Sequence, residues 1–142
     1  MFPRASNLRA SSPSVPLNTL LVCAAALAFG VGLVHSALGE WMIFRRMRSG
    51  GQFIPTNGGK VIGEGHVRIL WASWHVLTVF GWAMAALLLW LAGQPGDTGA
   101  RFITVVISVA MLAGSVLVLV GTRGKHPGWA GLLGVALLAW LA

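Results

Sequence analysis

From Leu17 to Ala142 the chain alternates long apolar runs with short polar breaks, and no other feature restricts its fold as much. A hydrocarbon core of about 30 Å takes roughly 20 residues of helix at 1.5 Å each. The runs at 17–41, 66–92 and 101–121 are that long. A fourth, at 126–142, reaches about 25 Å if helical throughout. Lipid cannot satisfy an open backbone, so each run is expected as an α-helix. The expected fold is therefore all-α: a four-transmembrane-helix bundle of up-down topology filling 17–142 as one domain. Residues 1–16 are rich in Ser, Pro and Arg without periodicity and are expected as a disordered N-terminal tail. Arg4, Arg9 and the run from Leu17 have the outline of a signal peptide. That run is too long and lacks a small-residue cleavage site, so it reads as a retained first span.

Composition narrows the function classes. Hydrophobic residues make up 56% of the chain, charged ones 9%, and the mean hydropathy is +0.80. An ordinary soluble domain carries about 25% charged residues and is excluded. The net charge is +7, but the Lys and Arg sit in loops and at helix ends, with no basic face interleaved with aromatics. No nucleic-acid partner is expected. A single cysteine, Cys23, excludes an internal disulfide and a CxxC redox pair. Gly58-Gly59-Lys60 lacks the spacing of a phosphate loop, and neither an HExxH motif nor a nucleophile elbow is present.

Charge asymmetry orients the spans. Arg45, Arg46, Arg48, Lys60, Arg68, Arg123 and Lys125 fall on one side, and Arg4, Arg9 and Arg101 on the other. The positive-inside rule then places both termini on the non-cytoplasmic side of the inner (plasma) membrane. Arg45, Arg46, Arg48 and Lys60 share a glycine-rich loop with Phe53-Ile54 and Val61-Ile62, a composition suited to anionic lipid head groups. Trp41, Trp129 and Trp140 read as interfacial belt residues.

Polar residues inside the apolar runs are few. On the second run Arg68, Trp71, His75, Thr78 and Trp82 fall within an arc of about 80°. On the first, Ala28, Gly32, Ser36 and Glu40 recur every fourth residue, a small-residue spacing that allows close helix approach, with His35 and Gly39 at its border. Antiparallel packing of the two runs would bring His35 and His75 to one level and into one site. Glu40 and Arg68 would form an ion pair at its mouth, because either charge alone is poorly solvated there. On the third run Thr104, Ser108, Ser115 and Thr122 share a face, with hydroxyls able to bond one turn back or across to a neighbour.

The set His-Ser-Ala-Leu-Gly-Glu (35–40), Arg-x-x-Trp-x-x-Trp-His (68–75) and Gly-Thr-Arg-Gly-Lys-His (121–126) resembles that of small, uncharacterised bacterial four-span integral membrane proteins. The resemblance implies the fold and the choice of site residues, and carries no activity.

Three functions fit these residues. The first is a structural or accessory membrane subunit, paired with another membrane protein or with itself, whose polar stripe specifies helix packing; it requires no enzymatic activity. The second is a cofactor site, with a b-type haem between His35 and His75 and Arg68 and Trp71 beside it, or a metal drawn from His35, His75, Glu40 and His126. The third is a proton-coupled transporter working through Glu40, His35 and His75.

Overall fold

The computed structural model describes residues 16–94 and 96–142. The expected disordered tail, apart from Pro16, lies outside the described residues, as do Arg4, Arg9 and Pro95. The described residues form four helices: α1 (Thr19–Leu38), α2 (Glu64–Leu91), α3 (Thr98–Gly121) and α4 (Gly128–Trp140). α1 runs on without a break through a π turn at Gly39–Ile43 and a 3-10 turn at Phe44–Met47. The first apolar rod therefore ends at Met47, not at Trp41.

α1 with its extension, α2 and α3 are each long and apolar enough to cross a membrane. α4 has 13 residues, about 20 Å of helix, and is shorter than the run at 126–142 suggested. The α3–α4 turn takes up the difference. Arg123 and Gly124 both have positive φ there, and Pro127, which has no N–H, precedes the first helical residue.

Side chains fix two of the helix starts. Asn18 accepts from the Leu20 and Leu21 amides, and Asp97 from those of Gly99 and Ala100, each quenching donors that an N-terminus leaves open. The Asn18 amide also donates to the Ala92 carbonyl (2.9 Å), tying the start of α1 to the end of α2.

Successive helices pack antiparallel. Phe29 and Ser36 of α1 meet Trp82 and His75 of α2, and Val31 faces Gly131 of α4. A Cβ on Gly131 would lie 2.6 Å from Val31 Cγ2, and one on Gly134 would lie 2.9 Å from Leu27 Cδ2. Glycine at both positions lets α1 and α4 close up. α1 thus sits between α2 and α4, and α3 packs on the far side of α4, while α2 and α3 touch little. The shared core joins Leu21, Ala24 and Ala28 to Leu88, Ile107 and Val135. On α3 Thr104 and Ser108, and at its C-cap Thr122, bond to carbonyls one turn back, and Ser115 crosses to the Trp129 carbonyl at 2.7 Å. All three long helices keep exposed aliphatic side chains along their outer faces, which is compatible with a lipid-facing surface.

Candidate functional site

Past Leu38, α1 widens into the π turn, which takes in one more residue per turn than an α-helix of the same reach. Glu40 lies in this turn with its carboxylate on α2, and the chain runs on to Phe44, which is fully buried. Three donors converge on the Glu40 carboxylate. The Trp71 indole N–H donates to Oε1 at 2.6 Å and the His75 Nε2–H to the same oxygen at 3.0 Å, while Arg48 Nη2 donates to Oε2 at 2.5 Å. Side-chain exposures of 32% for Glu40 and 23% for Arg48 put this ion pair at the edge of the bundle, shielded but not sealed. Arg48 also donates through Nε to the Phe53 carbonyl, so the loop closes over the site.

The network continues inward. His75 Nδ1 lies 2.9 Å from Ser36 Oγ, which lies 2.8 Å from Thr78 Oγ1. A carboxylate only accepts, so His75 Nε2 carries a proton and donates to Glu40. One hydrogen-bonded chain links Thr78, Ser36, His75 and Glu40, with Arg48 closing it from the loop. Thr78 is buried. One to two turns farther along α2 come Trp82 and Ala85, whose partners are a backbone carbonyl and the apolar core.

Tryptophans of α2 form a second set of ties. The Trp74 indole donates to the His35 carbonyl (3.0 Å) and that of Trp82 to the Phe29 carbonyl (3.2 Å). Both depend on glycine in α1. A Cβ on Gly39 would collide with the Trp74 indole, and one on Gly32 would lie 2.8 Å from Trp82 Nε1. The small-residue face of the first span is therefore a seat for two indoles.

His35 and His75 both lie at the α1–α2 junction and at one level, since Ser36, next to His35, bonds to His75. Their rings, however, have separate partners. His35 stacks flat on Trp74 (centroids 4.3 Å apart, planes 7° apart), and its Nε2 is buried without a hydrogen-bond partner. His75 meets Trp71 edge-on and uses both nitrogens. A haem ligated by this pair does not fit, because both nitrogens of His75 are already hydrogen-bonded, to Ser36 and to Glu40. Among the described residues no three of His, Cys, Asp and Glu gather to hold a metal. His126 caps the start of α4 by accepting from the Gly128 amide (3.0 Å).

The expected Glu40–Arg68 ion pair is not formed. Arg68 is exposed and pairs with Glu64 one turn away on its own helix (2.8 Å), and Glu40 pairs with Arg48. Arg68 finds Glu64 without leaving water. The π turn and the loop place Arg48, eight residues on, directly over Glu40. Trp71 and Thr78 take part as the stripe on α2 implied, whereas Trp74 was not on that stripe. Nothing in the linear pattern marks Arg48 as anything but a loop cation. Gly39, four residues after His35, was the one signal that a large side chain would press there.

No protein-family model matches the chain, and no curated protein or solved structure matches it.

Proposed function

We propose that this chain is a multi-pass inner-membrane protein with a structural or accessory role, in which the Glu40-centred network locks α1 to α2. One observation carries the reading: the donors and acceptors of the Glu40 network are used within the protein, and at the α1–α2 junction His35 Nε2 is the buried atom left unpartnered among the described residues. Glu40 takes three donors, His75 uses both nitrogens, and Trp71, Trp74 and Trp82 all bond to α1. Polar groups matched in this way fix a helix pairing and leave Glu40 and His75 without a free atom for a substrate. The transporter reading has less support, because the polar chain stops at Thr78 and the core beyond it is apolar. In this proposal α4 crosses as a fourth span, its short length met by local thinning of the bilayer. The basic loops then face the cytoplasm and both termini the opposite side. A second membrane protein, or a second copy, is the partner such a subunit serves.

The test is spectroscopic and thermal. The purified full chain is expected to be colourless, and His75→Ala to lower its unfolding midpoint in detergent without changing the absorption spectrum. A stoichiometric chromophore lost in His75→Ala would overturn the reading. Fusions at the C-terminus test the orientation separately: alkaline phosphatase is expected to be active there and a fluorescent protein dark.

A further inference from the structure

The end of the bundle that carries the α1–α2 loop and the α3–α4 turn has a surface the Glu40 network does not use. The antiparallel packing brings both connections to this end. Five cations stand there exposed, with no ion-pair partner among the described residues: Arg45, Arg46 and Lys60 from the long loop, and Arg123 and Lys125 from the turn. The two carboxylates at this end, Glu40 and Glu64, are taken by Arg48 and Arg68. At the opposite end, Arg101 is the one exposed cation among the described residues.

Apolar side chains are interleaved with these cations on a backbone that holds them out. The Met47 carbonyl accepts from the Thr56 and Asn57 amides, Asn57 Oδ1 accepts from the Gly59 amide, and Gly58 bridges to Ile62. The loop so pinned leaves Val61 92% exposed next to Lys60, and Phe53 76% exposed with its edge on Trp71. A pinned loop cannot tuck these side chains away. In water they are a liability, but at the boundary between phosphates and acyl chains the same alternation is matched on both counts.

We propose that this end of the bundle recognises anionic phospholipid. Arg45, Arg46, Lys60, Arg123 and Lys125 hold the head-group phosphates, and Phe53 and Val61 enter the acyl boundary beneath them. The surface consists of residues that stay exposed after the ion pairs are formed, which removes Arg48 from the set its loop position suggested and adds the α3–α4 turn. The proposal rests on the membrane reading but not on the role of Glu40, so its test leaves Glu40 intact.

The experiment is thermal unfolding of the full chain in neutral-detergent micelles doped with phosphatidylglycerol or phosphatidylcholine. Phosphatidylglycerol is expected to raise the midpoint several degrees more than phosphatidylcholine, and the difference should shrink as salt screens the contacts. The difference should be lost in Arg45→Gln/Arg46→Gln/Lys60→Gln and kept in Arg101→Gln at the opposite end. Inorganic phosphate at the same concentration should give no shift. Equal stabilisation by the two lipids, a difference insensitive to salt, or retention of the difference in the triple variant would overturn the proposal. A shift with inorganic phosphate as large as that with phosphatidylglycerol would overturn it in favour of a free-anion site.

Discussion

Glu40 gathers donors from three places: the loop, and two successive turns of α2. Removing its carboxylate strands the Trp71 N–H, one His75 nitrogen and the Arg48 guanidinium together. Because the pair is partly exposed, the loss for Glu40→Ala is expected at about 1–3 kcal/mol, below that of a deeply buried ion pair. Arg48→Ala should follow it in direction. Arg68→Ala should change stability by about 0.5 kcal/mol or less, since its pairing with Glu64 is an exposed one within a single helix. A double-mutant cycle distinguishes the two arginines: Glu40 and Arg48 are expected to couple, Glu40 and Arg68 to be additive. Chemical unfolding in mixed micelles measures all these terms, and coupling between Glu40 and Arg68 would contradict the geometry described above.

At the scale of elements, the contact between α1 and α2 depends on two indoles resting on two glycines. The C-terminal one is the tighter, with Gly39 at the start of the π turn and buried beneath Trp74. Gly39→Ala forces the indole off its seat, which also loosens its bond to the His35 carbonyl and its stacking on the His35 ring. Overpacking of this kind is expected to destabilise by about 1–3 kcal/mol. Gly30 is the control on the same helix, because a Cβ there meets nothing within 4 Å. Gly30→Ala should leave stability unchanged or slightly raised, as expected for Gly→Ala inside a helix. Comparing the unfolding midpoints of the two variants separates close packing from helix propensity. A Gly39→Ala protein as stable as the parent would mean that Trp74 does not rest there.

The whole molecule is asymmetric in the way its helices close. α1 touches both α2 and α4, α4 touches both α1 and α3, and the pairing of α2 with α3 is slight. Cysteines placed at Val31 and Gly131, in a chain with Cys23 replaced, are expected to cross-link readily under mild oxidation. Cys replaces a larger Val there, and the two positions already touch. Pairs joining the loop-side halves of α2 and α3 should stay reduced. Efficient α2–α3 cross-linking at that end would show a closed bundle instead of the open one. The slight α2–α3 contact also explains why the polar site belongs to the α1–α2 pair alone, with α3 satisfying its own hydroxyls.

The residues alone determined the helices, because the length and apolarity of the runs already called for them. They also determined that α1 and α2 meet through the face bearing Gly32, Ser36 and Glu40 and the stripe bearing Trp71, His75 and Thr78. A polar or small side chain in an apolar run has few places to go, so its spacing reveals its face. The hydroxyl face of α3 was legible for the same reason. What each polar group pairs with was decided by tertiary structure. By sequence a cation of the helix or of the loop could pair with Glu40, and the fold brings Arg48 to it and leaves Arg68 to Glu64. The separation of His35 from His75 has a similar origin: Trp74, off the polar stripe by sequence, is carried over the His35 ring once Gly39 allows the helices to close. Periodicity assigns residues to faces, and it carries no information about the turn geometry and side-chain reach that choose among neighbours on a face.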